Sequence, residues 1–138
     1  MIRYYVFLLL VLWFAAPAYA EDLTSVRLIG CYDGDTCSFD ILMPAVLSSA
    51  LGVRLLGIDT PEIKGKCQRE KDLALDARAM LVSSLLYKQV TLKDVTRDKY
   101  FRIDAIVLAD GENVNQKMVN AGLAVPYDGT GPRHNWCQ

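Results

Sequence analysis

"VRLLGIDTPE", residues 53–62, places an arginine and two carboxylates at the end of an apolar run. Residues 53–58 read as a strand. Arg54 and Asp59 stand five apart, and an odd separation in a regular strand sends side chains to opposite faces. For both to serve one surface the chain must bend between them, and Gly57 is where a bend costs least. Pro61 then restricts the backbone, so that Glu62 is held close to Asp59. Alone, the run describes equally well a strand that stops in a salt-bridged turn. The rest of the chain decides between the two.

Upstream, "SVRLIGCY" (25–32) and "TCSFDIL" (36–42) read as strands around the turn signal Asp33-Gly34. "PAVLSSALG" (44–52) is a connection without a clear pattern. Downstream, "QREKDLALDARAMLVSSLLY" (68–87) carries Leu73, Ala77, Met80, Leu81 and Leu85 on one helical face, with charges opposite. "QVTLKDV" (89–95) and "FRIDAIVLA" (101–109) are two further strands, and "NQKMVNAG" (115–122) is a short helix with Asn115 as N-cap and Gly122 as C-cap. Five short strands, with a helix between the third and fourth, predict an α+β, mainly β fold. The expected architecture is a five-stranded Greek-key barrel of the OB type with one longer and one short helix, which commonly binds oligonucleotides.

"MIRYYVFLLLVLWFAAPAYA" (1–20) has one basic residue, a short apolar stretch and a small-x-small ending at Ala18-Tyr19-Ala20. It reads as an export signal cut after Ala20, with an uncleaved anchor as the alternative; a membrane span needs about 20 apolar residues. Residues 21–138 then form one small domain, exported to the periplasm or the medium, monomeric and without stable membrane association. Removing Arg3 leaves 14 of the 15 basic residues against 16 acidic ones, a net charge of −2. The basic excess of many nucleic-acid binders is therefore absent, and any polyanion must be held by a local cationic patch or a metal. Cys31, Cys37, Cys67 and Cys137 make an even count in an exported domain, which favours disulfides. Zinc, with His134 as a further ligand, is weaker because no C-x-x-C pair exists. Of the three connectivities, Cys31–Cys37 across a hairpin and Cys67–Cys137 tying the last residues to the body are preferred. His134 itself reads as a solvated residue of that segment.

Two more stretches bear on the opening question. In "DGDT" (33–36), Asp33 suits the turn, but Asp35 sits at a strand start, where a carboxylate gains little. "DKYFR" (98–102) alone would be a polar hairpin turn. In order and spacing, the carboxylate at a turn, Arg-x4-Asp-Thr-Pro-Glu after a strand and Asp-Lys-Tyr-x-Arg before a strand resemble the staphylococcal nuclease (thermonuclease) family. The resemblance extends from about Val26 to Tyr127 and includes "NQKMVNAGLA", similar to that family's second helix and its exit.

The resemblance implies a Ca²⁺-dependent phosphodiesterase that cuts DNA or RNA to 3′-phosphorylated products. Asp35 and Asp59 match metal-binding carboxylates, and Thr60 a residue whose backbone carbonyl faces the metal. Glu62 matches the acid that orients or deprotonates the attacking water, and Arg54 and Arg102 the phosphate-binding arginines. Lys99, Tyr100 and Tyr127 match residues near the bound nucleotide. These residue types suit that chemistry, because hard cations take oxygen ligands and guanidinium forks fit phosphate oxygens. Arg54, Lys64, Lys66, Lys99 and Arg102 are expected to gather as a phosphate-facing patch. Two departures stand out. Phe101 replaces the glycine of the family's best-known member, and Gln138 follows Tyr127 too soon for that member's third helix, whose fastening role the Cys67–Cys137 bridge would take. A non-catalytic nucleic-acid-binding module is the alternative, and a protein using calcium only for structure a more distant one.

Overall fold

The computed structural model describes residues 22–41, 50–98 and 102–138. The proposed signal, most of the 44–52 connection, and Lys99, Tyr100 and Phe101 lie outside them. The elements are β1 (Leu23–Cys31), β2 (Thr36–Ile41), β3 (Ala50–Leu55), β4 (Ile58–Asp59), α1 (Gln68–Leu85), β5 (Val90–Arg97), β6 (Ile103–Ala109), β7 (Glu112–Asn113), α2 (Val114–Asn120) and β8 (Val125–Pro126).

Alternating residues fill the interior. Along β6, Ile103, Ala105, Val107 and Ala109 point inward while the residues between them are half-exposed. The strands run in the order β3-β2-β1-β5-β6, and β3 pairs in parallel with β6, Val53 opposite Ile103 and Leu55 opposite Ala105. That last pairing closes a five-stranded barrel and removes its edges. The α+β, mainly β barrel of OB type is as expected, with one long and one short helix. Phe39, Val53, Leu55, Leu92 and Val107 are fully buried within it, and Ala77, Leu81 and Leu85 of α1 with Val114 and Met118 of α2 complete the same core. Truncating one of these large side chains to alanine costs about 2–5 kcal/mol.

The third strand begins at Ala50 rather than Val53, because Ala50, Leu51 and Gly52 continue its pairing with β2. The N-cap of α2 is Asn113 rather than Asn115: its side chain accepts from the Gln116 N–H at 3.0 Å. Asn115 is the second residue of the helix and is buried. Gly122 ends the helix as expected, at φ +71°, with its N–H donating to Val119 and the next N–H, from Leu123, to Met118.

Both preferred disulfides are formed. Cys31 and Cys37 are opposite neighbours in the β1–β2 pair, and Cys67, at the start of α1, joins Cys137 across a separation of 70 residues. With no free cysteine remaining, the zinc alternative has no thiolates to use. Among the described residues no helix is long and apolar enough to cross a membrane.

Candidate active site

The bend expected at Gly57 is present. β3 stops at Leu55, Gly57 takes φ +78°, and β4 restarts at Ile58. A backbone of this hand suits glycine. The turn is fixed from three directions: Leu56 N–H donates to the Ala105 carbonyl at 2.8 Å, Tyr127 N–H to the Gly57 carbonyl at 2.9 Å, and the Asn115 amide to the Leu56 carbonyl at 2.9 Å. β4 pairs with β8, Asp59 opposite Val125. Asp59 and Thr60 are thereby buried at the end of the barrel.

The Asp33–Asp35 turn arrives at the same end. Asp33 Oδ1 accepts from the Asp35 N–H at 3.1 Å, the turn chemistry its position suggests. Gly34 is required by a close approach: a Cβ there would stand 2.6 Å from the Ala77 Cβ and 3.1 Å from the Thr60 Cβ. The register sets Thr36 opposite Arg54, so Arg54 Nη2 lies 3.7 Å from Asp35 Oδ2. Burial, then the neighbouring charge of Asp33, push the Asp35 carboxyl up to about 6, against the pull of Arg54; Asp59 adds a smaller push. Asp33 is also raised, chiefly by burial.

Glu62 is half-buried at the rim, on a loop held by Glu70. Glu70 is the third residue of α1 and is buried; its carboxylate accepts from the Lys66 N–H at 2.8 Å and the Glu62 N–H at 3.3 Å. A side chain on Gly65 would meet it at 2.5 Å. The helix dipole favours an acid here, and Glu70 uses that place to shape the loop behind Glu62. The sequence shows an acid in the first turn, but not which upstream amides it reaches.

Arg133 belongs to none of the motifs that the sequence offers. Its Nε donates to Asp59 Oδ1 at 2.6 Å, its Nη2 to the Thr60 carbonyl at 3.1 Å, and its Nη1 to Glu62 Oε1. Trp136 Nε1 donates to Asp59 Oδ2 at 3.4 Å. Burial works against the charge on Arg133, but its bonds to Asp59 and Glu62 win and raise its pKa. A cation is thus held by a carboxylate, a second carboxylate and a backbone carbonyl. Among the described residues the Thr60 hydroxyl is buried and has no hydrogen-bond partner. The donor set is all oxygen, as a hard divalent cation requires. Asp35 and Asp59 flank this point, but their oxygens and those of Glu62 do not form a tight cluster. The one group of three possible ligand side chains within 4.8 Å among the described residues is Cys67, Glu70 and Cys137, two of them halves of a disulfide.

Arg102 leads into β6 and donates from Nε to Asp98 Oδ2 at 2.9 Å; Lys99 and Tyr100, between them in sequence, lie outside the described residues. Burial, then the neighbouring charge of Asp98, raise the Asp104 carboxyl, against the weaker pull of Arg54 and Arg102. Tyr127 lines a hollow of about 110 Å³ with Arg54, Gly57 and Asp104, and its hydroxyl donates to the Gly131 carbonyl at 3.1 Å. Lys64 and Lys66 line a different, larger hollow of about 810 Å³ with Glu62 and Arg133. Among the described residues, Arg54 and the pair Lys64 and Lys66 thus line different hollows. His134 is exposed and packs edge-on to Trp136 at 4.5 Å, so it is a solvated residue in contact with an indole.

Residues 52–135 match the family model described as staphylococcal nuclease homologue. The chain belongs to the staphylococcal nuclease family. It is similar to an uncharacterized endonuclease of Escherichia coli, with 36% identity over 118 residues that cover 83% of this chain and 68% of the relative. A protein of Schizosaccharomyces pombe described as a probable endonuclease is 31% identical over 90 residues, covering 60% of this chain and 39% of that protein. The matched region contains the Gly57 bend, the acids after it, Arg102 and Arg133.

Proposed function

We propose that this family member is a Ca²⁺-dependent nuclease that hydrolyses phosphodiester bonds of DNA, and of RNA, to 3′-phosphorylated products. One observation carries the reading. Within the family's barrel, the Gly57 bend brings Asp59, Thr60 and Glu62 to the end of the barrel where the β2–β3 register sets Asp35 beside Arg54. Endonuclease-named relatives support the same class of reaction.

Asp35, Asp59 and the Thr60 carbonyl are the groups that would hold the cation. Once bound, it would neutralise charge on the phosphodiester and polarise a phosphoryl oxygen. Arg54 enters from β3 and presents a fork that stays charged at working pH. Its weak 3.7 Å pairing with Asp35 leaves donor capacity for a phosphate. Arg102 is oriented by Asp98 and approaches from β6. Together the two guanidinium groups would stabilise charge as it develops; loss of one such donor costs about 10²–10³ in rate. Glu62, on the loop shaped by Glu70, is the acid placed to orient a water and accept its proton. Tyr127, Lys99 and Tyr100 would border the nucleotide. Export with removal of residues 1–20, leaving residues 21–138 as one monomeric domain, fits the two disulfides.

The test is degradation of single-stranded DNA by the oxidised protein, in millimolar Ca²⁺ and in chelator, beside Glu62→Ala. Cutting that needs Ca²⁺ and falls strongly in the variant is expected. Tight oligonucleotide binding without cutting would identify a binding module instead.

A further inference from the structure

Arg133 lies in a segment rich in glycine and proline, outside every motif that points to hydrolysis, yet its guanidinium takes up the oxygens of the acidic end. Three attachments hold that segment. Cys137 is bonded to Cys67, Trp136 is buried with its indole N–H on Asp59, and the Tyr127 hydroxyl reaches back to the Gly131 carbonyl. The two oxygens of Asp59 are thus shared between Arg133, on Oδ1, and Trp136, on Oδ2.

The inference rests on the reading that Asp59 and the Thr60 carbonyl take a divalent cation. Such an ion needs the oxygens that Arg133 now contacts, and two cations at one carboxylate repel. The guanidinium has somewhere to go, because the hollow of about 810 Å³ between residues 62–67 and 132–137 adjoins it. The disulfide keeps Arg133 near even when displaced, which maintains a high local concentration of the competitor.

We propose that Arg133 is a tethered counter-cation that occupies Asp59, Thr60 and Glu62 until a divalent ion displaces it, so that cation binding and release of Trp136 from Asp59 are one coupled equilibrium. Arg133 is therefore a positioning residue: it neutralises the acidic end in the metal-free protein and sets the cation concentration at which the site fills.

The experiment is Ca²⁺ titration by calorimetry of the oxidised protein and of Arg133→Gln, each carrying Trp13→Phe so that Trp136 is the one tryptophan, with acrylamide quenching of its fluorescence measured on the same samples. The variant is expected to bind Ca²⁺ at least tenfold more tightly. In the protein that keeps Arg133, saturating Ca²⁺ is expected to raise the quenching of Trp136. Equal or weaker Ca²⁺ affinity in the variant, or quenching unmoved by Ca²⁺, overturns the proposal. Should Arg133→Gln fail to fold, the quenching of the protein that keeps Arg133 decides alone. Binding of equal strength by both proteins sinks this inference and leaves the cation site standing. Absence of binding to both removes the cation site and the inference with it.

Discussion

Replacing Asn115 by alanine should destabilise the protein far more than replacing Asn113, although both asparagines stand at the same end of α2. Asn115 is buried; its Oδ1 accepts from the Val107 N–H at 2.9 Å, and its amide donates to the carbonyls of Leu56 at 2.9 Å and Ala105 at 3.3 Å. The Ala105 carbonyl keeps the Leu56 N–H when Asn115 is gone. The Val107 N–H and the Leu56 carbonyl lose the side-chain partner that Asn115 supplied. An orphaned buried group costs about 1–3 kcal/mol; with the buried Val107 N–H near the upper value and the part-buried Leu56 carbonyl near the lower, the pair costs roughly 4 kcal/mol. Alanine's better helix propensity returns about 0.6 kcal/mol, leaving a net loss of roughly 3 kcal/mol. Asn113 is exposed and makes one capping bond, so its loss costs about 1 kcal/mol. Urea unfolding of the oxidised proteins followed by circular dichroism would measure both. The midpoint is expected to fall about three times further for Asn115→Ala, with the slope unchanged. A loss no larger than that of Asn113→Ala would refute the account of Asn115 as the clamp on the Gly57 bend.

Reduction of both disulfides should lower the melting temperature. Cys67–Cys137 alone, closing a loop of 70 residues, is worth about 4 kcal/mol in the chain-entropy model, and an unchanged melting temperature would contradict it. Gly34→Ala should destabilise the hairpin against α1, because the new Cβ meets Ala77 at 2.6 Å; a neutral result in thermal unfolding would mean that α1 shifts at no cost. Metal-free protein should gain roughly 1 kcal/mol of stability between pH 7 and pH 5. Asp35 has its folded pKa raised to about 6 from 3.8, so its contribution is full below the lower value and is lost as pH rises through the upper one. Asp33 acts in the same direction. Denaturant titration at the two pH values checks this, and stability that falls on acidification would reverse the sign. Arg54→Ala should reduce kcat/KM on single-stranded DNA by about 10²–10³ while leaving the circular dichroism spectrum intact; activity within a few-fold of the parent would remove Arg54 from the site.

The parts of the site that the sequence reveals are those whose geometry is local. Asp35 follows a turn signal, and Arg54 and Asp59 are reconciled by one glycine. The barrel itself is legible because each strand alternates. What escapes a reading of the sequence is long-range. The sequence suggests Asn115 as the N-cap, whereas Asn113 caps the helix and Asn115 turns inward to Leu56, 59 residues away. Glu70 looks like one charge among several on α1 until its partners at Glu62 and Lys66 are seen. Arg133 reaches Asp59 across 74 residues from a segment with no periodicity. The one local hint is Cys137, four residues on, whose bridge to Cys67 already requires the segment to pass near the start of α1. That start lies five residues after Glu62, so a bridge placed there must bring whatever precedes Cys137 to the mouth of the acidic end. Any charged side chain in that stretch would then face carboxylates. The disulfide, readable from the sequence as a fastening, thus also carries Arg133 to the carboxylates.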